Sequence, residues 1–188
     1  MTAPLVPTPG QTVGPFFGFA LPYPGSADLA PPGTPVAVRL SGRVLDGDGA
    51  PVPDALVEIW QPAPDGGIVR RSGSVRRDGW TFTGWGRSAT DTAGRYSFTT
   101  LEPGGVDGGA AFFAVAVFAR GLLDRLFTRA YLPDDEPALS RDRLLSSLPS
   151  DRRETLVARR EGQHLIFDVV LQGDRETVFL AYPGRPAR

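Results

Sequence analysis

The sequence predicts one mainly β domain: a β-sandwich with one or two short helices, preceded by an extended N-terminal arm. Three features carry that prediction. Apolar residues alternate from Val36 onward, turn residues separate the alternating runs, and the first 35 residues hold nine prolines with little periodicity. The arm is assigned to residues 1–35 and the sandwich to residues 36–188. Glycine (23) and proline (19) stay just short of the content that marks disorder, and eleven Phe with three Trp can fill a core.

Within the arm, Phe16, Phe17 and Phe19 carry too much apolar area to leave in water, so the segment is expected to dock on a neighbouring surface. Val36, Val38 and Leu40 then share one face of a strand, which leads into Asp46, Gly47, Asp48 and Gly49 as a tight hairpin turn. The expected return strand is Ala55 to Gln61. A second turn at Asp91 and Gly94 feeds alternating residues through Thr100. Phe112 to Phe118 is apolar throughout and reads as a strand buried on both faces, with Leu126 to Leu132 pairing beside it. Between Pro137 and Glu161 the spacing turns helical. Asp151 with Glu154 resembles a capping box, Arg159 and Arg160 suit a last turn, and Gly162 a C-terminal stop. His164 to Gln172 and Thr177 to Tyr182 form the expected final hairpin around Gly173 and Asp174.

Composition excludes several kinds of chemistry. Twenty basic residues balance twenty-one acidic ones with no basic groove, which argues against nucleic acid as a partner. Cysteine is absent, so there are no disulfides, thiolate metal sites or thiol nucleophiles, and a cytoplasmic location is expected. Met1 to Gln11 lacks the pattern of a signal peptide, and no apolar run approaches the roughly 20 residues of a membrane span. A single histidine, His164, rules out most imidazole-based metal sites and is expected to have a structural or surface role.

A set of short landmarks resembles the intradiol ring-cleavage dioxygenases. They are Gln11, Thr12, Gly14 and Pro15; Gly42, Val44, Asp46 and Gly49; Pro53 with Glu58, Ile59, Trp60 and Gln61; Gly84, Gly86 and Arg87; Thr90, Asp91 and Gly94; and Pro103 with Gly104. Phe118 to Gly121, Arg153 to Leu156 and Gln172 to Phe179 resemble the alpha chains of the two-subunit members that cleave protocatechuate. That resemblance implies a β-sandwich and a heteromeric enzyme. The Fe(III) cofactor would then be held by a partner beta subunit, through two tyrosinates and two histidines. At the corresponding places this sequence has Ile68, Val106, Phe112 and Ala114, none of which can donate a lone pair to iron. No catalytic or metal-binding residue is therefore expected in this chain. Assembly into a higher hetero-oligomer is also implied.

The same resemblance makes the arm and the strand after the former ligand positions part of a substrate pocket shared with the partner, for an aromatic dihydroxy acid. Arg120 could meet its carboxylate with a forked guanidinium, or could instead pair with a carboxylate such as Asp124 or one in the partner chain. Thr12, Gly14 and Pro15 match the pocket-lining segment; Thr12 could hydrogen-bond a ligand or simply anchor a turn. Phe16 stands where many family members have Tyr. Trp60, Trp80, Trp85 and Phe82 read as packing, and nothing shows that the carboxylates of Glu58 and Glu102 meet. The rival reading is a stand-alone transthyretin-like β-sandwich binding module, which the absence of a catalytic constellation would suit. A metal site built from scattered Asp and Glu finds no ligand spacing in its favour.

Overall fold

The computed structural model describes residues 9–14, 16–31, 33–71 and 77–182, and in them nine strands form two facing sheets. The first strand, β1 (Ala37–Leu45), is central to one sheet. It pairs antiparallel with β4 (Arg95–Leu101) on one side and parallel with β8 (His164–Ile166) and β9 (Val169–Val170) on the other, and β7 (Arg159–Glu161) lies outside β8. The other sheet runs β3 (Trp85–Ala89), β2 (Leu56–Trp60), β5 (Phe112–Phe118), β6 (Leu126–Tyr131), all antiparallel. Alternation does the sorting. Val38, Leu40, Val44 and Phe98 face Val57, Ile59, Phe113, Val115 and Val117 across one core, while Val36 lies before the strand and is exposed.

The turn at Asp46 forms as expected: Asp46 Oδ1 accepts from the amides of Asp48 and Ala50, and Gly49 has φ 80°. The hairpin it was expected to close does not. After one bridge, Leu45 to Pro51, the chain leaves β1 and Ala55 starts it into the opposite sheet. Pro51 and Pro53 bring no amide hydrogen, so a ladder to β1 cannot be continued through them. Thr90 fixes the crossing, accepting from Ala55 N at 2.9 Å and donating to Val52 O at 2.8 Å.

Two other expectations are corrected. The helical stretch is three short helices, α1 (Glu136–Arg141), α2 (Arg143–Ser146) and α3 (Ser150–Glu154). Asp135 and Asp142 cap the first two, whereas Asp151 caps nothing and Pro149 holds the N-cap of α3. Arg159 and Arg160 lie in β7, and Gly162 turns the β7/β8 hairpin. The final hairpin is also absent, because β8 and β9 both join β1 in parallel. The return is limited to Thr177, whose N donates to Val170 O and whose Oγ1 accepts from Val170 N, and then Leu180 N bonds Phe127 O beside β6. The parallel join to the continuous β1 is broken once, on the side of the joining strands. Phe167 interrupts β8 and β9 with its carbonyl directed over Gly42, where any Cβ would collide with it, and the buried Tyr96 hydroxyl donates to that same oxygen at 2.5 Å.

The strand Phe112–Phe118 is sealed on one face only. Its outer face is covered at one end by α1 and α2, through a second cluster of Tyr131, Leu139, Leu145 and Leu156. At the other end, Ala114, Ala116 and Phe118 line an open trough of about 530 Å³ with Trp60, Phe127 and Tyr182. Of the segment assigned to the arm, Ser26, Leu29 and Ala30 are buried against the sandwich, Leu29 within the main core; Leu29 N bonds Thr99 O at 2.7 Å.

Candidate functional site

Arg120 sits in the turn after β5, where Ala119 O accepts from Leu122 N and Gly121 takes φ 86°. Its partner follows from strand register. Leu56 pairs with Phe118 across antiparallel β2 and β5, so stepping two residues back from one and forward from the other brings Asp54 level with Arg120. Arg120 Nε lies 2.5 Å from Asp54 Oδ2, with the arginine side chain half exposed. The carboxylate pairing considered from sequence thus forms, with Asp54 rather than Asp124. No hydrogen bond engages the terminal guanidinium nitrogens among the described residues, so two forked donors remain available.

The arm reaches this same turn. Thr12 Oγ1 accepts from Gly121 N at 2.7 Å, and Gly10 rests beside the Leu123 side chain. Further along, Gly18 passes over Leu56, and Leu21 O accepts from Arg87 Nη1 at 2.9 Å. The structure therefore joins Thr12 to Arg120 through Gly121. Gly14 has open space where a side chain would stand. Phe16 is 72% exposed and packs edge-on to the exposed Phe19 at 5.3 Å. Pro15 lies outside the described residues.

Two arginines hold the rest of the arm: Arg77, which sequence reasoning passed over, and Arg87, named there only as a family landmark. Arg77 is half-buried and donates to Gly25 O, Ser26 O, Thr83 Oγ1 and Trp85 O. Burial lowers its pKa from the usual guanidinium value, against the opposing pull of Tyr23 and Asp28. Arg87 pairs with Glu58 at 2.5 Å and stacks on Trp85. Glu102 belongs to a different network, with Arg160 and Asp134, so the two carboxylates named from sequence do not meet. His164 Nε2 lies 2.6 Å from Ser41 Oγ within the first sheet. Of the tryptophans, Trp85 is buried, Trp60 opens onto the trough, and Trp80 is exposed.

The loops carrying Ile68 and Val106 are brought together, for Gly66 and Gly105 touch backbone to backbone and Gly104 N bonds Ala63 O at 3.0 Å. Ile68 is 61% and Val106 39% exposed. Phe112 and Ala114 alternate onto the outer face of β5. Over the Phe112 ring stands the Arg129 guanidinium, 4.2 Å from its centroid, while Arg129 Nη1 donates to Tyr131 Oη at 2.8 Å. Tyr131 Oη in turn donates to Asp142 Oδ1 at 3.1 Å, and burial pushes this phenol up to about 12. These residues do not fit a ferric ion. The four positions carry hydrocarbon, a fixed cation sits beside two of them, and among the described residues no three His, Cys, Asp or Glu side chains cluster as metal ligands.

A family model described as Dioxygenase matches residues 25–111. The chain is 38% identical to the protocatechuate 3,4-dioxygenase alpha chain of Burkholderia cepacia over 190 residues, covering 92% of this chain and 95% of that one. The chain belongs to the protocatechuate 3,4-dioxygenase alpha-chain family. It is also 34% identical to the protocatechuate 3,4-dioxygenase beta chain of Burkholderia cepacia, over 75% of this chain and 67% of the beta chain. Among solved structures, the dioxygenase domain of a dioxygenase and carbohydrate-binding protein fusion from Streptomyces sp. SirexAA-E superposes with a TM-score of 0.59 at 27% identity, covering 89% of this chain and 99% of that one. The intradiol fold of this alpha-family chain thus accounts for the two-sheet topology described above. No helix among the described residues is long and apolar enough to cross a membrane.

Proposed function

We propose that this chain is the non-catalytic, iron-free alpha subunit of a cytoplasmic heteromeric intradiol dioxygenase. The complex inserts both atoms of O₂ into protocatechuate, breaking the carbon–carbon bond between the two hydroxyl-bearing carbons, to give 3-carboxy-cis,cis-muconate. The observation that carries this reading is the replaced iron locus in an alpha-family sandwich: four hydrocarbon side chains, with Arg129 fixed over Phe112. Fe(III) belongs to an iron-bearing beta paralogue, and the isolated chain is inactive. Several alpha/beta pairs assemble together.

In this arrangement the alpha chain shapes the partner's substrate pocket. Asp54 holds Arg120 by Nε and leaves its terminal nitrogens to meet the substrate carboxylate, which gains from a planar, permanently charged donor. Thr12 spends its hydroxyl on Gly121, so its role toward substrate is to position the arm. From the arm, residues 1–35, we assign Gly14, Pro15 and Phe16 to the lining of the beta chain's substrate pocket. The exposed Phe16 and Phe19 pair supplies the apolar contact.

The test is co-expression with a candidate beta paralogue, purification through a tag on this chain alone, and measurement of iron, tyrosinate-to-iron absorption and protocatechuate-dependent O₂ uptake. One iron per pair with activity is expected. Arg120→Ala should raise KM for protocatechuate by roughly 10- to 100-fold, the loss of a charge-assisted contact of about 1.5–3 kcal/mol. Failure of the two chains to co-purify, with iron-free inert protein, would reject the subunit reading in favour of a stand-alone binding module.

A further inference from the structure

A second cavity, of about 450 Å³, opens beside the helices and is lined by Gly109, Arg129, Arg141, Asp142, Arg143 and Leu144 among others. All twenty basic residues of the chain are arginine, and three of them converge here. Arg129 is held in place by the Phe112 ring beneath it and by Tyr131 Oη. Arg141 closes α1 and Arg143 opens α2, so the break between the helices at Asp142 sets both against one opening. Both are exposed, and neither side chain makes an ion pair or hydrogen bond among the described residues. The sole acid in the lining is already committed: Asp142 Oδ1 accepts from Leu144 N, Leu145 N and Tyr131 Oη.

Three guanidinium groups against one engaged carboxylate leave a net charge of +2 in a concave site, on a chain whose formal net charge is −1. Guanidinium forks match carboxylates in plane and spacing, and the cavity falls within the range that holds small ligands. We propose that this cavity binds a small polycarboxylate anion. One source is the ring-opened product, which carries three carboxylates if the reaction under Proposed function is the one performed; another is any tricarboxylate metabolite. Binding needs neither iron nor turnover, so it stands or falls apart from that reaction.

The experiment is isothermal titration of the full-length chain with citrate as the tricarboxylate probe and inorganic phosphate as the comparison, repeated with the double variant Arg141→Ala/Arg143→Ala. Saturable citrate binding is expected, at least 10-fold tighter than phosphate and at least 10-fold weaker in the double variant, whose circular dichroism stays that of the parent. Phenylglyoxal footprinting should show citrate shielding Arg141 and Arg143. Absent citrate binding, equal binding of phosphate, or binding unchanged in the folded double variant would each overturn the assignment. So would shielding of these arginines by the co-expressed partner and not by citrate. Titration with the ring-cleavage product alongside citrate separates the sources: tighter binding of the product assigns the site to feedback from the reaction, and equal binding to general polycarboxylates.

Discussion

Replacing Leu29 by Ala tests whether the end of the Pro-rich leader is part of the sandwich or an appendage to it. Leu29 is 1% exposed, sits in the main core, and presses a methyl group onto Gly86 so closely that a Cβ there would collide with it. Its backbone is pinned by Thr99, so the segment cannot slide in to refill the space. Lost transfer energy plus an unrelaxed cavity then cost about 3–4 kcal/mol. That is a large share of the roughly 5–15 kcal/mol available to a domain, and corresponds to a fall in Tm of about 6–16 °C for a chain of this size. Urea unfolding followed by tryptophan fluorescence reads it, with Phe19→Ala, at an 81% exposed position, as the control expected within about 0.5 kcal/mol of the parent. A loss below about 1 kcal/mol for Leu29→Ala, at unchanged denaturant slope, would show that the core closes without this segment.

Tyr96→Phe removes the buried hydroxyl that donates to Phe167 O and should cost about 1–2 kcal/mol in the same assay, whereas Gly42→Ala, which drives a methyl into that carbonyl, should prevent soluble expression. The Tyr131 phenol is held near 12 against an ordinary 10, so its contribution is full below about pH 10 and is lost as pH rises toward 12. Stability measured across that interval should fall less steeply in Tyr131→Phe than in the parent; identical slopes would refute the assignment. Asp54→Asn should change stability by less than about 1 kcal/mol, because the pair is solvent-accessible, yet shift KM of the complex by freeing Arg120; an unaltered KM would separate Asp54 from substrate positioning.

The residues that alternate cleanly were legible in the sequence. Val38, Leu40 and Phe98 face inward as their period demands, and Asp46 and Asp91 nucleate the turns their side chains suit. What escaped was pairing at a distance. Nothing local in Ala55 to Gln61 says that it belongs to the opposite sheet from β1, and without the β2/β5 register there was no path from Arg120 to Asp54. The same limit hid the parallel docking of β8. Helix ends were misplaced for a local reason: Asp135 and Asp142 both cap, and the break between them uses up residues that periodicity alone would run together. Thr12 was found through its family motif, but its bond to Gly121 spans 109 residues and no motif contains it. The cation over Phe112 was missed because Arg129 reaches it across neighbouring strands, and the signal that could have found it is Arg at the position flanking a former ligand strand.

The parallel join of β1 to the chain's last strands has a consequence during synthesis. Arg43 meets Asp168 across 125 residues, a stretch that a ribosome takes roughly 6–25 s to add. Throughout that interval β1 can pair with β4 once it emerges, but its other edge shows bare amides and carbonyls. The nascent chain therefore exposes a sticky sheet edge until β8 and β9 have emerged. A chain that stalls or is cut before His164 loses the strands that would cover that edge, and is left as a template for misassembly.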